Sequence, residues 1–202
     1  MTNTALIILA AGQSARLGQP KQLLRFGDKT LLQHTIDEAL QAGVSPVMVV
    51  TGARAQEIAG SIDSDSVVIV FNTQWEQGKG TGIAAGVRKI VKDYPEVTQV
   101  ILSVCDQPYV SSALFQALCQ TQLESGKNIV ASSYAGTTGT PVLLTRKYFD
   151  SLLGLTKEAG AKQILLAHPD DVATVDFPGG VVDIDTMEDY EGLVGRFFKI
   201  IG

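Results

Sequence analysis

The sequence predicts an α/β fold, a mainly parallel sheet with helices on both faces and a small antiparallel excursion in its last third. Three observations lead there. Apolar runs of strand length alternate with segments of helical periodicity through most of the 202 residues. The runs, such as 5–11 and 67–71, are near-continuous rather than alternating, the pattern of strands covered on both faces. The motifs able to do chemistry fall at the ends of these runs, where open parallel sheets collect ligands.

Strands are expected at 5–10, 46–51, 67–72, 99–104 and 128–133. After the first, Leu32, Ile36, Ala39 and Leu40 form a helical stripe that stops at Gly43, a residue suited to a left-handed cap. Residues 54–62, 82–92 and 112–125 carry the same helical spacing. Past Ser133 the pattern changes to Tyr-Ala-Gly-Thr-Thr-Gly-Thr-Pro, then a strand-like 142–145 and two short helical stretches. This is the place for the antiparallel excursion, and its small residues and glycines would let a second substrate approach the backbone. Asp185 and Thr186 are placed to cap a final helix, with Glu188 and Asp189 in its first turn.

A chain of this length, 45% hydrophobic and 18% charged, can bury one sizeable core, and residues 1–202 read as a single domain. No apolar run approaches a membrane span, and the first four residues lack the basic start of a signal peptide, so the expected location is the cytoplasm. A net charge of −5 argues against general nucleic-acid binding, which needs a broad basic surface. Cys105 and Cys119 form neither a disulfide framework nor a zinc pattern and are read as reduced packing residues. His34 and His168, with no ligand-spaced partner, are read as ordinary helix residues.

The first strand runs directly into Leu9-Ala10-Ala11-Gly12-Gln13-Ser14-Ala15-Arg16-Leu17-Gly18-Gln19-Pro20-Lys21. Glycines here let main-chain N–H groups turn toward phosphate oxygens, and Arg16 and Lys21 supply a planar fork and a movable charge suited to a polyphosphate. An ordinary turn with two solvated cations is the alternative. The Walker loop does not fit, because five residues separate Gly12 from Gly18 and Gln22 stands where its hydroxyl would be. The dinucleotide fingerprint, and with it an oxidoreductase, fails for want of a glycine two positions after Gly12. At the end of the 99–104 strand, Asp106 in Cys105-Asp106-Gln107-Pro108 reads either as a turn residue or as a magnesium ligand. Asp183-Ile184-Asp185-Thr186 supplies a second acidic cluster. Residues 72–86 add a second glycine-rich loop after a strand, able to hold an anion or read a base edge.

Taken in order, Leu9-Ala10-Ala11-Gly12 through Lys21-Gln22-Leu23-Leu24, Asn72 with Trp75 and Gly78, Cys105-Asp106-Gln107-Pro108, Gly139-Thr140-Pro141-Val142, and Asp183-Ile184-Asp185-Thr186 with Glu188-Asp189-Tyr190 resemble the MobA-like NTP transferases. The likeness spans nearly the whole chain and is nearer to the molybdenum cofactor cytidylyltransferase branch. It implies a Rossmann-like, three-layer nucleotidyltransferase fold and a transfer of CMP from CTP to the phosphate of molybdopterin-bound molybdenum, with release of pyrophosphate. By position it implies that Leu9, Ala10, Ala11, Gly12, Gly78 and Thr81 contact the nucleotide. Arg16 and Lys21 would bind its phosphates and act with Asp106 in catalysis, and Asp106 and Asp185 would hold Mg²⁺. The implied partners are CTP and a phosphorylated pterin acceptor, with a molybdoenzyme or its chaperone as a further candidate and neither nucleic acid nor membrane among them.

The Ala10-Ala11 pair matches the cytidylyl branch, where the guanylyl branch usually has a glycine in place of Ala11. A GTP-using guanylyltransferase, a sugar- or alditol-phosphate nucleotidyltransferase and a non-catalytic nucleotide-binding module are the alternatives. Two segments depart from the family pattern. Lys79-Gly80-Thr81-Gly82 replaces a serine-rich loop, and Leu155-Thr156-Lys157-Glu158 lacks the usual glycine-aspartate pair before Ala159-Gly160-Ala161. Met187 stands for a common proline, a change of small structural consequence.

Overall fold

The computed structural model describes residues 3–14, 17–157 and 159–201, so Arg16 and Glu158 lie outside the described residues. The elements follow in the order β1 (Thr4–Ala10), β2 (Arg25–Phe26), β3 (Lys29–Thr30), α1 (Leu31–Gln41), β4 (Val47–Thr51), α2 (Ala55–Gly60), β5 (Val67–Phe71), α3 (Lys79–Asp93) and β6 (Gln99–Val104). Then come α4 (Ser112–Ser125), β7 (Ile129–Tyr134), β8 (Thr137–Thr145), α5 (Phe149–Leu153), α6 (Lys162–Ala167), β9 (Val172–Asp176) and α7 (Met187–Ile201). Seven strands form one sheet in the order β5-β4-β1-β6-β8-β7-β9, with β2 and β3 as a separate antiparallel pair. β8 alone runs against its neighbours β6 and β7.

Side chains along β1 alternate between two cores. Ala5 and Ile7 pack with Met48, Val50, Ile83, Val87 and Ile90, under α3. Leu6, Ile8 and Ala10 pack with Leu32, Ile36, Ala39, Phe115 and Leu118, under α1 and α4. Both faces are therefore dry, as the unbroken apolar strands require. Gly86 lets α3 lie close to the sheet: a Cβ there would stand 2.7 Å from Ile7 Cδ1. Thr30 and Ser111 cap α1 and α4, accepting hydrogen bonds from Gln33 N and Leu114 N at 3.0 and 3.3 Å. Gly43 takes the expected left-handed conformation, φ 76°.

The structure extends the sequence reading in three places. The excursion is a full nine-residue strand, β8, joined to β7 through Ala135 and Gly136, both at positive φ (48° and 73°), a tight hairpin. β9, at the sheet edge with half-exposed residues, carried too weak an apolar pattern to be read. α3 begins at Lys79 rather than 82, its first turn disguised by glycines. His168 lies just past α6 rather than within it. No described helix is long and apolar enough to cross a membrane.

A third apolar cluster positions the site. Leu17, Leu24 and Leu31 from the first loop and α1 pack against Ile184 and Leu193 from the C-terminal segment. The two ends of the chain are thereby held together beside the C-terminal ends of β1 and β6.

Candidate functional site

The site lies beyond the C-terminal ends of β1 and β6, which pair in parallel. Lys21 follows the β1 loop in a short 3-10 turn, its backbone N–H bonded to Ser14 Oγ at 3.0 Å. Its ammonium donates to Asp106 Oδ2, just past β6, and reaches Asp185 Oδ1 at 3.4 Å. Asp183 completes the group: Asp106, Asp183 and Asp185 each present a carboxylate oxygen within 4.8 Å of the others.

The C-terminal acids are fixed from both sides. Ile184 is fully buried, and its N–H donates to Asp106 O at 3.1 Å. In an extended segment residues two apart point the same way, so burying Ile184 turns Asp183 and Asp185 toward the cleft. The cap of α7 falls to Thr186, whose hydroxyl accepts from Asp189 N at 3.2 Å, while Asp189 Oδ2 accepts from Thr186 N at 2.8 Å.

The electrostatics suit a cation. Asp183 stays open to solvent on one side, but partial desolvation at the cleft wall, with Asp106 beside it, pushes its pKa up to about 6. Burial works against the charge of Lys21, but the charge and hydrogen bond of Asp106 outweigh it and hold the ammonium above the ordinary lysine range. Crowded carboxylates that resist ionising together, with only oxygen donors, are the donor set a hard divalent ion prefers. Burial, reinforced by Asp106, pushes the Cys105 thiol up to about 12, which leaves it an inert packing group.

Two cavities meet here. One, of about 610 Å³, is lined by Leu9, Ala11, Gly12, Lys21, Trp75 and Lys79, among others. The second, of about 340 Å³, lies between Gln107, Tyr134, Thr137, Thr140, Val181 and Asp183. Val104 and Asp106 line both. Gln107, itself buried, ties the second cavity together by donating to Gly180 O at 3.2 Å and accepting from Thr140 Oγ1 at 3.1 Å.

The chemistry of the larger cavity is that of a donor-lined floor. Gly12 lines it, and a Cβ at Gly12 would meet nothing within 4 Å, so a ligand can reach the backbone. Ala11 O accepts from Ala53 N at 3.2 Å, and Gln22 Nε2 donates to Ala10 O and Gly12 O at 3.0 and 3.2 Å. The Ala10, Ala11 and Gly12 carbonyls are thus occupied, whereas the N–H groups of Gly12 and Gln13 meet no acceptor among the described residues.

A model of the MobA-like NTP transferase domain matches residues 6–172. The chain belongs to the MobA-like NTP transferase family. Molybdenum cofactor cytidylyltransferase of Escherichia coli is 25% identical over 96% of this chain and 97% of its own. Molybdenum cofactor guanylyltransferase of Vibrio parahaemolyticus is 27% identical over 93% of each. The crystal structure of Rv0371c from Mycobacterium tuberculosis superposes with a TM-score of 0.81 at 30% identity, over 96% of this chain and 98% of that one. The same mycobacterial protein has been solved in complex with manganese. Membership makes this MobA-like chain a nucleotidyltransferase.

Of the residues singled out in the sequence, Lys21, Asp106 and Asp185 come together, and Leu9, Ala11, Gly12 and Gly78 line the larger cavity. Arg16 lies outside the described residues. Ala10 is fully buried in the sheet core. Thr81 is also buried: its hydroxyl accepts from Asn72 Nδ2 at 2.8 Å and donates toward Gly78 O and Gln74 O, so it pins the second loop rather than facing the cleft. Asp183, which the structure adds to the acidic group, was not named as a candidate ligand, although the Asp-Ile-Asp alternation around an apolar residue hinted at it.

The two departures from the family pattern touch each other. Gly80 N donates to Lys157 O at 2.8 Å, and a Cβ on Gly80 would fall 2.7 Å from Ala159 O and 2.9 Å from Thr156 O. A Cβ on Gly160 would in turn stand 3.1 Å from Lys79 Cε. The altered loops form one packed unit at the start of α3.

Proposed function

We propose that the chain, acting over residues 1–202 as one domain, is a magnesium-dependent molybdenum cofactor cytidylyltransferase. It would join CMP from CTP to the phosphate of molybdopterin-bound molybdenum. The observation that carries this reading is the position of Asp106 on the wall between two cavities, one with room for a nucleotide and one for an acceptor, with Lys21 beside it on the side of the larger. A transferase needs that arrangement, and a simple nucleotide-binding module does not.

In the larger cavity the triphosphate would run from the donor-lined loop at Gly12 and Gln13 toward Lys21, with the base beside Leu9, Ala11, Trp75 and Gly78. An oxygen of the acceptor phosphate attacks the α-phosphorus, the bond to the β-phosphate bridge breaks, and pyrophosphate departs. The attacking oxygen is already anionic, so no general base is called for. Lys21 leaves its carboxylate partners to meet charge developing on the α-phosphate and the leaving group, and Arg16 is assigned to the same phosphates. Asp106, Asp183 and Asp185 would hold Mg²⁺, which when bound neutralises phosphate oxygens and aligns the displacement. The manganese complex of the mycobacterial relative supports a divalent ion in this family.

The choice of CTP rests on Ala11. A Cβ on Gly52 would come within 2.9 Å of the Ala11 methyl and closer still to Trp75, so the three residues form a filled wall. A methyl in that wall leaves less room for a purine than the glycine usual in the guanylyl branch. The Vibrio guanylyltransferase, as similar overall as the cytidylyltransferase, makes GTP the second reading. Pyrophosphate release measured with each of the four nucleoside triphosphates and the phosphorylated pterin separates them. Release with CTP well above the others is expected; a GTP preference would transfer the assignment to the guanylyl branch, and binding without release would contradict transfer.

A further inference from the structure

Gln22 follows Lys21 directly and is 1% exposed, an unusual place for a primary amide. Its nitrogen makes the two bonds already described, to Ala10 O and Gly12 O, while Oε1 is buried with no hydrogen-bond partner. The amide cannot be turned over, because its oxygen would then face two carbonyl oxygens. Retaining an orphaned buried acceptor is costly, and what the residue provides in return is a two-pronged hold on the loop under the larger cavity.

We infer that Gln22 is a positioning residue for the nucleotide. Its amide keeps the Ala10 and Gly12 carbonyls turned out of the cleft, Ala53 N does the same for Ala11, and the start of the loop presents the Gly12 and Gln13 N–H groups as donors. An anionic ligand is repelled by carbonyl oxygens and attracted by amide hydrogens, so this one-sidedness favours a polyphosphate. Because Gln22 adjoins Lys21, the same short turn sets both the backbone donors and the mobile cation. The inference rests on the assignment of the larger cavity to a nucleoside triphosphate.

The test compares full-length wild type with Gln22→Met, which keeps the side-chain length without the donor, and Gln22→Glu, which sets a carboxylate against the carbonyls. Trp75, the sole tryptophan of the chain, lines the cavity and offers a fluorescence signal for CTP binding. Manganese affinity without nucleotide, melting temperature, and the backbone amide resonances of Gly12 and Gln13 complete the measurements. The expected result for Gln22→Met is a KM for the triphosphate raised about tenfold, as two hydrogen bonds of ordinary net worth would give. Its kcat and manganese affinity stay within twofold, and the two amide resonances shift and broaden as the loop loses its single orientation. Gln22→Glu should be worse in KM than Gln22→Met. Unchanged Gly12 and Gln13 amide resonances in Gln22→Met overturn the inference whether or not nucleotide binds, as does unchanged KM in a stable variant. Parallel losses of manganese affinity, KM and melting temperature would reduce Gln22 to a core residue. A wild type with no response to any triphosphate would instead defeat the functional assignment, leaving the amide resonances to judge the clamp.

Discussion

Lys21 carries two tasks at the residue scale. In the described arrangement its ammonium satisfies Asp106 and Asp185, and in the proposed reaction it moves to the phosphates. Lys21→Ala should lower turnover by about a hundredfold, on the order of 3 kcal/mol, the cost of removing one electrostatic contact made in the transition state. Steady-state pyrophosphate release, with circular dichroism to show an intact fold, checks this; near-normal turnover would remove Lys21 from the chemistry. For Asp183 the expected effect is on the ion. Asp183→Asn should weaken manganese binding by at least roughly tenfold, the lower bound for losing even an indirect metal contact, read by calorimetric titration. Lys21, Asp106 and Asp185 could be named from sequence because they fall in motifs that follow the family's order, although alone each also reads as a solvated cation, a turn residue or a helix cap. Asp183 was not, because the alternation alone does not place it: its position beside Asp106 depends on Ile184 being buried and on the Asp106 carbonyl that holds the segment.

At the scale of elements, the loop before α5's return to α6 and the start of α3 act as one piece. Gly80 is surrounded by the backbone carbonyls of Thr156, Lys157 and Ala159, which cannot swing aside as a flexible side chain would. Gly80→Ala should therefore destabilise the fold by about 1–3 kcal/mol, measured by urea denaturation, and a neutral substitution would mean that the 156–160 loop yields easily. The sequence showed both departures but not their contact, because complementarity between distant backbone segments leaves no local pattern. Strands β1, β4, β5 and β6 were legible for the opposite reason: as near-continuous apolar runs bounded by turns, they announce themselves. β9 was not, because Ala173, Thr174 and Asp176 leave it no apolar run, whereas β5, an edge strand of equal exposure, keeps Val67 to Phe71 unbroken.

For the whole molecule, stability in acid turns on a cluster far from the cleft that ties β7, β8 and β9 together. Asp171 accepts from Lys147 Nζ at 2.7 Å, Tyr148 OH at 2.8 Å and both nitrogens of Asn128 at 3.0 Å. The Lys147 hydrogen bond, aided by Asn128 and Tyr148, holds its carboxyl well below the usual carboxylate range. A carboxyl that ionises near pH 4 when unfolded and lower when folded stabilises the native state fully above about pH 4 and progressively less as the pH falls below it. Asp171→Asn should cost about 1–3 kcal/mol at neutral pH and flatten the loss of stability below pH 4. Melting curves from pH 2 to 7 check it, and parallel curves for the two proteins would contradict the role given to Asp171.

The same scale carries the central claim, that both ends of the chain are brought together so that amino-terminal positive charge and a carboxylate-held cation meet on one triphosphate. A crystal of the full chain grown with manganese and a non-hydrolysable CTP analogue tests it most directly, since manganese can be located by its anomalous scattering. The expected map shows the ion bonded to Asp106 and to phosphate oxygens, with the Lys21 ammonium moved from Asp106 onto the same phosphates. An ion no nearer than a water-bridged distance from Asp106, with Lys21 turned into solvent, would contradict it.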